Sequence, residues 1–304
     1  MAEQSTSRVF MVAPGNFRRN EETAVNNAFQ KEVPVPKDLN AVIQREFNAL
    51  RDVLTQSGVQ VEVMPADMVH DAPDAIFPNN WISLHEGNRM VLYPMYAPNR
   101  RLERRQDIIE RLDPNGEYQQ IDLRAEENAG RFLEGTGSMV LDRIGKVAYA
   151  ALGPRTDRSV LHSWAEQMGY TVMGFHSYQD PVGETLIYHT NVLMSIGTSW
   201  AAVCLESIRS EEEREAVRWQ LKNSGREILE LTYSDIASFG GNILEMRSAS
   251  GETIIVMSSR SRKEIDPEIV RALEGFGSVI DAAIPTIEDL GGGGVRCMIA
   301  EVFS

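Results

Sequence analysis

Residues 37–63 read KDLNAVIQREFNALRDVLTQSGVQVEV, and the fold is decided here. Leu39, Val42, Ile43, Phe47, Leu50 and Leu54 recur at the three- and four-residue steps that put side chains on one helix face, and Gly58 is a stop signal, so a helix is predicted over 37–57. Val59, Val61 and Val63 then alternate with Gln60 and Glu62, the pattern of a strand with one buried face. The same order recurs four more times, with helices over 100–112, 155–168, 211–221 and 267–276 leading into strands at 118–123, 170–175, 227–231 and 279–280. Helix starts near 37, 100, 155, 211 and 267 are almost evenly spaced, the first interval being slightly the longest.

Ahead of the last four helices stand two short apolar runs split by a turn containing glycine. They are 81–84 before Glu86-Gly87-Asn88, 139–141 before Arg143-Ile144-Gly145, 192–194 before Ile196-Gly197-Thr198, and 243–246 before Ser250-Gly251-Glu252. Each reads as a β-hairpin. The regular spacing is therefore that of a strand–strand–helix–strand unit present five times. Such units cannot bury a helix face alone and should pack around a common axis as a five-bladed, pseudo-symmetric α/β propeller. The first unit lacks its opening strand, and residues 297–303 are expected to supply one beside 9–13, closing the ring with the two ends of the chain. An open α/β sheet with mixed strands is the alternative; the regular spacing and the leftover last strand favour the ring. Residues 1–304 are read as one catalytic domain.

The 304 residues carry 30 Lys+Arg against 44 Asp+Glu, a formal charge of −14, which argues against nucleic acid or an anionic membrane as partner. Two cysteines make no disulfide framework, the apolar run at 9–13 is too short for a secretory signal, and no run approaches the ~20 residues of a membrane span, so a cytoplasmic protein is expected. CxxC and HExxH are absent, and the glycine run lacks both GxGxxG spacing and a phosphate-loop Lys-Ser/Thr, so neither zinc nor nucleotide is indicated and no cofactor is expected. A homo-oligomer is compatible with the exposed helix faces, which declare no partner.

Aligned on their first strands, the units place Asn80, Ser138, Asn191, Asn242 and Cys297 at one position, again at nearly equal steps along the chain. Small polar residues repeated at one structural position should converge at one mouth of the axis, where a ring holds its ligand. Asp74, Glu134 and His189 lie just upstream on the entry loops. Cys297 follows Gly291-Gly292-Gly293-Gly294-Val295-Arg296; four glycines imply close backbone approach, and a thiol behind them reads as a nucleophile rather than packing. Cys204, inside an apolar run, reads as packing. His189 alone could be structural, but its place in the repeat favours chemistry, whereas His70, His85, His162 and His176 read as surface or helix-face residues. Glu134 lies between an apolar pair and glycines, and Asp74 could be no more than a turn cap. The segment 15–20 is a candidate lid.

The chain resembles the guanidine-modifying, or pentein, superfamily of arginine deiminases, amidinotransferases and dimethylarginine hydrolases over essentially its whole length. The resemblance rests on Pro73-Asp74-Ala75-Ile76-Phe77-Pro78-Asn79-Asn80, Phe132-Leu133-Glu134-Gly135-Thr136-Gly137, Gly153-Pro154-Arg155-Thr156, His189-Thr190-Asn191 and the glycine-rich approach to Cys297. It implies a ring of five strand–strand–helix–strand units, Cys297 as covalent nucleophile and His189 as general acid/base. It further implies Glu134 as a carboxylate that holds substrate nitrogen, Arg155 as a bidentate grip on an α-carboxylate and Asp74 as a retained first-loop aspartate. An imidazolium at His189, or the arriving substrate, would activate the thiol.

Guanidine-binding relatives place acidic residues where Asn79 and Asn80 stand, and deiminases carry an aspartate at the position of Asn191. Burying a guanidinium requires carboxylates, whereas asparagine offers one acceptor and one NH₂ donor, which suits a neutral ureido group. The resemblance is nearest to bacterial citrulline-utilisation hydrolases, which implies citrulline converted to ornithine, ammonia and carbon dioxide. An arginine deiminase or dimethylarginine hydrolase, and a non-catalytic binding protein of the same architecture, are the alternatives.

Overall fold

The computed structural model describes residues 3–303. Its strands, labelled in chain order, form five three-stranded sheets. The first holds β1 (Arg8–Val12) and β2 (Gln60–Met64); the second β3 (Ile82–His85), β4 (Arg89–Leu92) and β5 (Gln119–Asp122); the third β6 (Val140–Asp142), β7 (Val147–Ala151) and β8 (Thr171–Phe175). The fourth holds β9 (Met194–Ile196), β10 (Trp200–Val203) and β11 (Glu227–Glu230), and the fifth β12 (Leu244–Arg247), β13 (Thr253–Ser258) and β14 (Ser278–Ala282). The last strand, β15 (Ala300–Glu301), returns antiparallel to β1, pairing Val9 with Glu301, while β1 runs parallel to β2. Every sheet thus has a middle strand antiparallel to one neighbour and parallel to the other, and each parallel pair is joined through a helical crossover. This is the five-bladed α/β ring of the repeat.

The blade helices are Leu39–Gln56, Gln106–Leu112, Arg158–Met168, Glu211–Asn223 and Pro267–Phe276. Ile43, Phe47, Leu50 and Leu54 form the buried stripe of the first, as the spacing predicts. The inner strands meet one another around the axis, β15 against β3, β6 against β9 and β9 against β12. They are buried on both faces, whereas the outermost strands are half exposed. No helix among the described residues is long and apolar enough to cross a membrane.

Several boundaries differ from the sequence reading. Over 100–112 the chain forms a 3₁₀ turn, Pro98–Glu103, and then a separate helix from Gln106, because Arg100 and Arg104 turn inward to bond Glu103 and Glu127. The third blade helix begins at Arg158, capped by Asp157 accepting from the Ser159 and Val160 amides, so Arg155 lies in the preceding turn. Val192 belongs to a 3₁₀ turn, Thr190–Val192, and the strand starts at Met194. The closing strand is confined to Ala300–Glu301. Cys297 and Met298 sit in a turn whose amides bond the Gly294 and Val295 carbonyls. His85 is not a surface residue: it is buried on β3, with Nε2 at 2.7 Å from Ser83 Oγ and Nδ1 at 3.3 Å from Arg143. Two-sided burial of the inner strands removes the polar alternation that would have signalled this.

Candidate active site

The five aligned positions do converge. Each ends a tight turn entering an inner strand, and the turns are stitched together across blades. Thr190 Oγ1 donates to the Ser138 carbonyl at 2.5 Å and Asn242 Nδ2 to the Asn191 carbonyl at 2.9 Å, while within one blade Ser138 Oγ donates to the Arg155 carbonyl at 2.7 Å. The Arg296 amide donates to Asn242 Oδ1 at 3.0 Å, which fixes that side chain's orientation.

Cys297 is buried at the hub, and its Sγ lies 3.3 Å from Asn242 Nδ2 and 3.5 Å from Asn191 Nδ2. Burial pushes the thiol pKa up, and the Asn242 amide, the Arg296 charge and the Asn191 amide only partly oppose this. Cys204 is also buried and pushed up to about 12 by desolvation, in keeping with inert packing. His189 Nε2 lies 2.7 Å from Glu134 Oε2, and the Tyr188 ring packs on the imidazole at 4.6 Å between centroids. Burial lowers the His189 pKa to about 4 despite the Glu134 contact. Burial works against the Glu134 charge too, but the Arg155 guanidinium at 3.5 Å and the His189 bond outweigh it and hold the carboxyl well below its ordinary range. Burial thus disfavours the charged form of both the Cys297 sulfur and the His189 ring. With an ionised acceptor on Nε2, that nitrogen carries the proton and Nδ1 is the free base.

Glu134 is fully buried with both oxygens engaged, Oε1 by the Tyr96 amide at 2.9 Å and Oε2 by His189. It lies behind the histidine and outside the cavity lining. Arg155 is likewise occupied. Its Nε donates to Asn26 Oδ1 at 3.1 Å, its Nη2 to Asn26 Oδ1 and to the Thr23 carbonyl, and its guanidinium stacks 4.7 Å over Tyr188.

Cys297, His189, Asp74, Asn80 and Arg155 line one small cavity of about 20 Å³, together with Gly291–Gly293. Asn79, Glu134, Asn191 and Asn242 are outside that lining; Asn79 Nδ2 bonds Thr136 Oγ1 at 3.3 Å, while Asn191 and Asn242 reach the Cys297 sulfur. Glycine is required at 137, where a Cβ would stand 2.2 Å from Asn80 Nδ2 and 2.8 Å from the His189 ring. Asp74 accepts from Asn20 Nδ2 at 2.8 Å and Thr23 Oγ1 at 3.3 Å through one oxygen, while its Oδ1 has no partner.

Three participants, Arg100, Thr23 and Asn26, escaped the sequence reading, and Asn20 was read only as part of a candidate lid. Arg100, fully buried, forms a bidentate pair with Glu103 at 2.7 and 2.9 Å and donates to Asn80 Oδ1 at 2.9 Å. Its expected place on an outer helix concealed it. Asn20, Thr23 and Asn26 come from the entry segment, whose Asn-rich run 20–27 was the available signal. At the end of the candidate lid Asn20 caps a short helix, Glu21–Ala24, and bonds Asp74; beyond it Asn27 lines the cavity and Gln30 bonds the Gly291 carbonyl.

A ring that brings a thiol, an imidazole and buried arginines into one cavity defines a class, the cysteine-dependent amidino hydrolases that act on carbon–nitrogen bonds. A family model described as N,N dimethylarginine dimethylhydrolase, eukaryotic, matches residues 13–304. No curated protein sequence matches. Among solved structures, the N-terminal domain of ArgZ, covalently bound to a reaction intermediate, has a TM-score of 0.75 at 16% identity, covering 97% of each chain. Apo ArgZ, an arginine dihydrolase from the ornithine–ammonia cycle in cyanobacteria, gives 0.73 at 16%, covering 98% of this chain and 40% of the other. A dimethylarginine dimethylaminohydrolase adduct with S-methyl-L-thiocitrulline gives 0.63 at 15%, covering 99% and 100%. The chain belongs to the pentein superfamily of guanidine-modifying enzymes and is a hydrolase of carbon–nitrogen bonds, which sets the non-catalytic alternative aside.

Proposed function

We propose that the protein hydrolyses the ureido group of L-citrulline to give ornithine, ammonia and carbon dioxide. The observation that carries this is the orientation of the Asn80 amide. Arg100 has no acceptor, so Asn80 Oδ1 must face it, and Nδ2 is left as an unpartnered donor in the cavity wall beside Cys297 and His189. A ureido carbonyl accepts from that donor. A guanidinium carries only donors and would oppose it. The ureido NH groups can donate to Asp74 Oδ1, which is also without a partner.

On this reading His189 Nδ1 takes the Cys297 proton as substrate arrives, and the thiolate, steadied by the Asn191 and Asn242 amides, attacks the ureido carbon. Asn80 Nδ2 stabilises the oxyanion, and the imidazolium returns its proton to the departing nitrogen. Water, deprotonated by His189, then cleaves the C–S bond of the S-carbamoyl adduct, and the carbamate decomposes to ammonia and carbon dioxide. Nucleophile, base and amides come from four blades, so the whole ring acts as one catalytic domain; a cytoplasmic location fits an unpaired reactive thiol.

A second reading, hydrolysis of arginine or dimethylarginine, draws on the matched family model and on the free Asp74 oxygen, an acceptor suited to a guanidinium. Purified protein incubated separately with citrulline, arginine and dimethylarginine, with ornithine, citrulline, ammonia and dimethylamine measured, decides between them. Citrulline should have the highest kcat/KM by at least about tenfold, the worth of one mismatched hydrogen bond; turnover confined to the cationic compounds would establish the second reading.

A further inference from the structure

The Nε/Nη2 edge of Arg155 is already occupied, while Nη1 lies 3.5 Å from Glu134 Oε2. One oxygen, Asn26 Oδ1, accepts from both Nε and Nη2, and Nη2 also reaches the Thr23 carbonyl. Nε and Nη2 form one of the parallel donor pairs with which a guanidinium grips a carboxylate. Residues 20–30 that carry Asn26 are pinned on both sides of the cavity: Asn20 and Thr23 bond Asp74, and Gln30 Nε2 donates to the Gly291 carbonyl at 3.3 Å. Asn26 itself is only half-buried, while Arg155 is 1% exposed.

We propose that Asn26 is a built-in competitor for the substrate's α-carboxylate, a latch that releases Arg155 only to a ligand carrying a free carboxylate. This rests on the reading of Arg155 as the carboxylate grip. A neutral amide oxygen is the weaker partner, because charge-assisted pairs to carboxylate are about twice as strong. Exchange therefore runs towards an amino acid and not towards an amide, ester or peptide-linked analogue. Releasing Asn26 also loosens the strap, so carboxylate binding and opening of residues 20–30 are one event. The site selects free amino acids at its entrance independently of the ureido selection at its hub.

The test uses two probes on the full chain by calorimetry. L-norvaline has the carboxylate and no head group, and n-butylurea has the head group and no carboxylate. Asn26→Ala should bind norvaline about tenfold more tightly than wild type and lower the citrulline KM in parallel, while Asn26→Asp, with a charged competitor, should weaken norvaline by at least about tenfold. Neither should move n-butylurea. A residue that merely holds Arg155 in place would weaken norvaline in both variants, and that result, or no change in Asn26→Ala, overturns the latch. If Asn26→Ala fails to fold, Asn26→Ser, which shortens the reach to Arg155, must show the same tightening. Failure of wild type to bind n-butylurea while it binds n-butylguanidine would instead count against the ureido reading and leave the latch standing.

Discussion

At the residue scale the candidate site is a set of side chains whose directions are imposed by neighbours. Asn80 points its NH₂ inward because Arg100 takes its oxygen, and Asn242 does so towards Sγ because the Arg296 amide takes its oxygen. Asn80→Asp should accordingly cut citrulline kcat/KM by about 10²-fold, the usual worth of a lost oxyanion donor, and raise affinity for n-butylguanidine; equal losses for both ligands would show that head-group charge is not what Asn80 reads. Cys297→Ala should abolish ornithine release with an unchanged thermal midpoint. The buried histidine adds a pH signature. Its folded pKa is about 4 against an ordinary 6.5, so the unfolded chain binds the extra proton, and stability is full above pH 6.5 and falls as pH drops towards 4. In urea titrations across that window, the stability of His189→Gln should fall less steeply than wild type; parallel curves would show an imidazole that titrates normally. The residues proposed for this chemistry were legible from the repeat, since Asn80, Asn191, Asn242 and Cys297 share one alignable position. Their supporting arginine was not: Arg100 has no repeat counterpart, and nothing local distinguishes it from the neighbouring Arg101.

At the scale of elements, periodicity locates helices well and their ends poorly. The helix over 267–276 begins at Pro267 behind the Asp266 cap, as local signals dictate, whereas the one expected at 155 starts three residues later because Asp157 is the capping residue. That delay is what frees Arg155 for the cavity. Leu50 sits at the centre of the buried stripe of the first helix with 0% exposure, and Leu50→Ala should cost about 2–5 kcal/mol in urea unfolding. The short helix Gly135–Ser138 shows the opposite economy: it buries little apolar surface and exists to carry Gly137 past Asn80 and the His189 ring. Gly137→Ala should depress kcat by about 10²-fold, the penalty for displacing a reacting group by an ångström. A wild-type kcat in that variant would mean that the ring and the amide tolerate displacement.

At the scale of the whole molecule, the even spacing of helix–strand pairs revealed the ring because five equal units leave few other ways to bury their helices. It also indicated that strands from opposite ends of the chain share a blade. Burial on both faces of the inner strands, by contrast, erased the alternation from which His85 could have been placed. Truncation after residue 298 removes β15 and leaves β1 with one partner, so the variant should be inactive and lose its cooperative thermal transition. Retained citrulline turnover would show that the blade holds without it.

The register of Val9 with Glu301 has a temporal meaning. A contact between residues so far apart in sequence is entropically expensive to form early, so it belongs to the final stage of assembly. The reactive sulfur rides on the turn that leads into that junction. Recovery of turnover after dilution from denaturant should thus track the slowest refolding phase, making catalysis itself a clock for completion of the circle.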